Sequence, residues 1–212
     1  MKIIKLLSAC ALLFILNGGC INLYVQDENF STTEDWPLER QKSQTIGLNL
    51  TAEYHSIPDP PTAKSLWWVT NEYVDSAKSL LQIGFLQAHH TFDSSNLFKE
   101  TQVGVNNPDY VANIHIIWTE KRPESWSIAH AVTLGILPAR NSRSMKVQMS
   151  IIDTKGKLLG TYEKSSEVIA WRGLILLPIS PFWIWWDDDP AEQVLFDIFR
   201  EMIVEAHAQE VF

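Results

Sequence analysis

Along residues 46–54 apolar and polar side chains alternate: Ile46, Leu48, Leu50, Ala52 and Tyr54 fall between Gly47, Asn49, Thr51 and Glu53. A period of two is the repeat of a strand with one buried face, so this stretch predicts a half-buried strand. Pro58, Pro60 and Pro61 break it, and Thr62 can cap the next element. From Ala63 the spacing changes to three and four, through Leu66, Trp67, Tyr73, Val74, Ala77, Leu80 and Leu81. That spacing predicts an amphipathic helix with Trp67 on its core face and Trp68 about 100° further round. Gly84 is expected to end the helix, and residues 85–92 read as a short strand.

Period two returns after the turn Asn106-Asn107-Pro108-Asp109, at Tyr110, Ala112, Ile114, Ile116 and Trp118. Residues 127–137 are apolar without a clear period, and Pro138 ends them. Met145, Val147, Met149 and Ile151 then alternate with Lys146, Gln148 and Ser150. Asp153-Thr154-Lys155-Gly156 is a turn, and residues 158–171 return as the second arm of a hairpin. The last element has a helix start in which Asp189 suits the N-cap, Pro190 the first helical position and Glu192 the third. Ala191, Val194, Leu195, Ile198, Phe199, Met202, Ile203 and Ala206 then form one continuous apolar stripe. Two helices with one apolar face each and about five mostly antiparallel strands define an α+β chain, a two-layer sandwich with both helices on one face of the sheet.

The N-terminus has a different layout. Lys2 and Lys5 precede an apolar run over residues 6–16, and Asn17-Gly18-Gly19-Cys20 then turns small and polar. This is the arrangement of a secretory signal, and the run is too short to span a bilayer. Small residues leading to a cysteine near position 20 resemble the lipobox of bacterial lipoproteins. The resemblance implies cleavage before Cys20, with lipid (palmitate among the acyl chains) on its thiol and new amino terminus. Asn17 departs from the pattern, which favours an apolar residue three places before the cysteine; Leu16 lies one place earlier. Leu7-Ser8-Ala9-Cys10 matches the pattern better in letters, but too little apolar chain precedes it. Ile21 is not the aspartate associated with inner-membrane retention, so the resemblance implies the periplasmic face of the outer membrane. The chain thus divides into a signal peptide (1–19), a lipidated cysteine with its tether (20–44) and a periplasmic domain (45–212).

The order of elements, with Asp109-Tyr110-Val111 opening a middle strand after a helix, is similar to periplasmic lipoproteins of the TolB N-terminal-like kind over residues 45–210. That group includes subunits of curli-secretion and exopolysaccharide-export assemblies. The likeness implies a role as an accessory or assembly component, with a protein partner or further copies of the chain.

Charge and cysteine content narrow the chemistry. Removal of residues 1–19 takes the net charge from -8 to -10, since Lys2 and Lys5 go and no acid does. An acidic domain disfavours nucleic acid and anionic membrane surfaces as electrostatic partners. Cys10 and Cys20 are the only cysteines, so the domain has no disulfide, thiolate metal site or cysteine nucleophile. No metalloprotease helix motif, nucleophile elbow or phosphate-binding glycine loop occurs. His89 and His90 would point to opposite faces of a strand, while His115 sits on the polar face of its strand with no predictable partner in His130 or His207. Asp187-Asp188-Asp189 could hold calcium, but it is better read as the acidic start of a helix, which its dipole favours. The chain reads as non-enzymatic, with no cofactor and no metal site.

Residues 173–186, GLILLPISPFWIWW, carry no charge. Pro178 and Pro181 argue against a central strand or a regular helix. Three readings stay open: buried core, a loop resting on a membrane through interfacial tryptophans, or a surface for a protein partner. Trp171, Phe182, Trp183, Trp185 and Trp186 are the candidate contacts, the last three tryptophans being expected at least partly exposed. A membrane-anchored accessory protein is therefore the leading function. A periplasmic carrier of a small apolar ligand or lipid, held between helices and sheet, and a hydrolase without a readable motif are the alternatives.

Overall fold

The computed structural model describes residues 22–26, 36–38, 44–57, 67–103, 107–121, 132–133, 137, 139–172 and 191–212. Within them the order is β1 (Asn22–Gln26), β2 (Thr45–Ile57), α1 (Trp67–Ser94), β3 (Glu100–Val103), β4 (Tyr110–Lys121), β5 (Ala139–Asp153), β6 (Leu158–Arg172) and α2 (Ala191–Ala208). The strands form one six-stranded sheet in the order β1-β6-β5-β4-β2-β3. The pairs β1–β6, β6–β5 and β5–β4 are antiparallel, while β4–β2 and β2–β3 are parallel. The fold is α+β, with the helices packed together over one face of the sheet.

Alternation decides which face is covered. Ile46 and Leu48 of β2, Ala112, Ile114, Ile116 and Trp118 of β4, and Met145, Val147, Met149 and Ile151 of β5 are all buried toward the helices. α2 meets them with the full predicted stripe, from Ala191 to Ala206, buried at every position. At about 25 cal/mol per Å² of apolar surface, this two-layer contact is the main favourable contribution to folding. Lys164 of β6 projects to the same side and reaches Glu201 (3.8 Å) and Glu205 (3.3 Å) of α2. Phe212 closes the β3 end, its ring 5.0 Å from that of Phe98 and 6.1 Å from that of Tyr110.

Two expectations are corrected. Gly84 does not end a helix: α1 runs on to Ser94, and residues 85–92 are helical, not a strand. Leu80, Gly84, Ala88, Thr91 and Phe92 continue one buried stripe at steps of four, three and one. Gly84 is needed for close approach. A Cβ placed there would lie 2.5 Å from Ile116 Cδ1 and 3.9 Å from Leu50 Cδ2, so the helix rests nearly on the sheet. The side chains of Trp67 and Trp68 and the helix start at Asp189 lie outside the described residues.

Within the segment 20–44, residues 22–26, 36–38 and 44 are described. Asn22–Gln26 is the edge strand β1, and Leu38 N donates to Ser95 O (3.2 Å) while Trp36 meets Phe196 edge-on at 6.3 Å. Pairing in β1 adds backbone hydrogen bonds that a five-residue stretch of sequence does not announce.

The parallel pair β2–β4 is pinned at its start. Asp109 Oδ2 accepts from Thr45 N (2.7 Å) and from Thr45 Oγ1 (3.0 Å), and Asp109 N donates back to Thr45 Oγ1 at 3.1 Å. These bonds, the backbone one foremost, hold the Asp109 carboxyl below the usual aspartate range. A depressed native pKa gives stability that is present above the unfolded-state value and lost as pH falls through the native one. Asp109→Asn should therefore lower the melting temperature at neutral pH, with the difference from wild type shrinking in acid; an equal difference at every pH contradicts the clip. At Gly84, valine should destabilise by about 1–3 kcal/mol in urea unfolding through overpacking. Leu86→Val, at an exposed position of the same helix, should cost under about 1 kcal/mol.

Candidate functional site

The face of the sheet turned away from α1 and α2 is largely polar and, among the described residues, ordered into rows. Asn49, Asn113, Ser150 and Thr161 are register partners across β2, β4, β5 and β6. Thr51, His115, Gln148 and Glu163 form the next row, and Glu53, Ile117, Lys146 and Ser165 the one after. The first two rows line an open hollow of about 380 Å³, bordered also by Ile114 and Met149, whose own side chains are buried.

Neighbours within the rows hold one another. Asn49 Nδ2 donates to Asn113 Oδ1 (3.0 Å), and Thr51 Oγ1 lies 2.8 Å from His115 Nδ1. The other ring nitrogen of His115 is 3.6 Å from Glu53 Oε1, while Glu53 Oε2 is 3.3 Å from His55 Nε2. Glu163 receives Lys146 Nζ at 2.7 Å and Gln148 Nε2 at 2.8 Å. Those two bonds, Lys146 first, hold its carboxyl below the usual glutamate range. His115 thus has partners that sequence alone did not supply: Thr51 and Glu53 come from a parallel neighbour about 64 residues away, a pairing that periodicity does not encode.

A second cluster lies on the covered face. Glu120 is buried; its Oε2 accepts from the Tyr54 hydroxyl at 2.5 Å, and its Oε1 is 4.0 Å from Arg143 Nε. A buried carboxylate is tolerated where it is paired and hydrogen-bonded, and here it is both.

Of the candidate anchor and contact residues, Trp171 alone lies among the described residues, near the end of β6. Asn22, the first residue of β1, pairs with Arg172, the last of β6. The chain therefore enters β1 and leaves β6 at the same corner of the sheet. Cys20 lies two residues before that pair, and residues 173–186 begin directly after it. Trp171 pairs by its backbone with Leu23 on one side and Arg140 on the other. Cys20, Phe182, Trp183, Trp185, Trp186 and Asp187 to Asp189 are outside the described residues, as is His130. His89 and His90 lie on α1, not on a strand, and His207 Nδ1 is 3.2 Å from Phe212 O. Among the described residues, no group of three or more His, Cys, Asp or Glu side chains is placed to hold a metal ion. No described helix is long and apolar enough to cross a membrane.

No protein-family model matches the chain, and no curated protein matches it. Solved structures do show resemblance at low identity. A PelC dodecamer from Paraburkholderia phytofirmans is 10% identical with a TM-score of 0.33, over 86% of this chain and 95% of that one. A putative neuraminyllactose-binding hemagglutinin homolog from Helicobacter pylori is 9% identical with a TM-score of 0.35, over 81% and 84%. Similarity of this order carries no residue, ligand or activity from those proteins to this chain.

The Glu163 clasp can be tested directly. In Lys146→Met the Glu163 carboxyl should titrate closer to an ordinary glutamate, followed by NMR of its side-chain carbon. An unchanged titration would show that Lys146 does not set it.

Proposed function

We propose that this chain is a lipid-anchored, non-enzymatic accessory component of a bacterial envelope, held by Cys20 to the periplasmic face of the outer membrane. The register Asn22↔Arg172 carries the reading. A lipidated Cys20 would have its Cα within about 7 Å of the first residue of β1, at no more than about 3.6 Å of extended chain per residue. The uncharged stretch 173–186 starts from the partner of that same strand end.

Anchor and aromatic stretch would then act together. Two or more acyl chains hold a protein to a bilayer nearly permanently, at roughly 0.8 kcal/mol per buried methylene. A domain so tethered meets the membrane, or another protein in it, at high effective concentration. Phe182, Trp183, Trp185 and Trp186 suit the headgroup boundary and equally suit the anchor positions of a protein interface. A chain that begins at Cys20, with a net charge of -10, gains little from anionic lipid, so contact through aromatic side chains fits better than contact through charge.

Metabolic labelling with palmitate tests the anchor. Wild-type protein should take up label and fractionate with membranes, and Cys20→Ala should do neither. An unlabelled wild-type chain overturns the proposal.

A further inference from the structure

We infer that the open face of the sheet is a binding site for a neutral, polyhydroxylated ligand, a mono- or disaccharide unit seated in the hollow over β2, β4, β5 and β6. This site lies on the described residues and does not depend on the lipid at Cys20.

The hollow's chemistry selects the ligand class. Its volume of about 380 Å³ falls within the span of small-ligand sites. Two carboxamides from β2 and β4, Asn49 and Asn113, stand beside the hydroxyls of Ser150 and Thr161 and the carboxamide of Gln148. Such groups both donate and accept, as sugar hydroxyls do, and adjacent ring hydroxyls can engage both ends of one carboxamide. An apolar ligand would leave the hydroxyls of Ser150 and Thr161, and the donor and acceptor capacity that Asn49, Asn113 and Gln148 do not use among themselves, unmet. A simple anion would meet Glu163 in the lining and Glu53 beside it, while a cation would compete with Lys146, which already holds Glu163 at 2.7 Å. A neutral ligand with many hydroxyls satisfies the groups and opposes no charge.

The lining is also pre-organised. The Asn49–Asn113 bond uses one donor and one acceptor, so the Asn113 amino group and the Asn49 carbonyl oxygen, on two residues that line the hollow, are not consumed by it. Gln148 is fixed through its amino group to Glu163, which frees its carbonyl oxygen, and Thr51 orients the His115 ring. Side chains already held in place lose less entropy when a ligand arrives.

Saturation-transfer difference NMR on the full chain in lipid nanodiscs provides the test, with maltose, cellobiose and chitobiose as probes at millimolar concentration and empty nanodiscs as the control. The expected result is transfer to the ring protons of at least one disaccharide above the control. With Asn113→Leu, and separately with Ser150→Leu, the apparent affinity should fall at least about fivefold, the size of one lost hydrogen bond. Among the described residues Ser150 makes no side-chain hydrogen bond that its replacement would break, so a melting temperature near wild type is expected for that variant. No transfer to any of the three sugars, or transfer unchanged in both variants, overturns the inference.

Discussion

The register between β2 and β4 is the constraint on which the rest of this molecule depends. Side chains on a strand alternate between faces, so a slip of one residue would exchange the two faces completely. Asn113 and His115 would then point into the apolar layer beneath α1 and α2, and Ile114 and Ile116 into water. Three features prevent it. The reciprocal bonds between Thr45 and Asp109 fix where the parallel pair begins. Burial of Ile46, Leu48, Ala112, Ile114 and Ile116 gives each residue of the correct register an apolar partner layer. Gly84 lets α1, the crossover that any parallel pair requires, come close enough to cover them.

Once that pair is set, the antiparallel arms propagate it outward in both chemical senses. β5 and β6 repeat the alternation, so the buried layer widens under α2 while the polar rows lengthen on the far side. Lateral bonds such as Thr51 to His115 and Gln148 to Glu163 exist only because the register puts those residues in one row. β1 completes the edge. By pairing with the end of β6 it brings the N-terminal approach of the domain and the start of the uncharged stretch to one corner, at the opposite edge from β3.

Much of the fold was legible because the chain's patterning is local. The α2 stripe and the alternations in β2, β4 and β5 were readable residue by residue, since each depends only on which face of one element is buried. Gly84 and residues 85–92 were misread for a physical reason: a glycine in a helix normally costs stability, and the benefit here comes from Ile116 and Leu50 on distant strands. β1 and β3 were missed because strands of four or five residues owe their existence to a neighbour's free backbone groups more than to their own sequence. The same limit applied to the polar hollow. That Asn49, Thr51, Asn113 and His115 face away from the core follows from alternation, but that they share two rows follows only from pairing. Cys20 and the aromatic residues after Trp171 were singled out by an N-terminal pattern and a run without charge, signals independent of the fold; what the fold adds is that Asn22 and Arg172, the described residues nearest to them in the chain, are register partners.

The proposed membrane contact at the β1–β6 corner is measured most directly by paramagnetic relaxation from spin-labelled lipids, read at the backbone amides of the full chain in nanodiscs. Five inter-strand spacings separate the two edges of the sheet, about 24 Å in all. An anchor at Cys20 predicts strong broadening at residues 22–26 and 168–172, decaying across β5 and β4 to little effect at residues 100–103. Broadening that is uniform over the sheet, or strongest at the β3 edge, would contradict a membrane-facing β1–β6 corner.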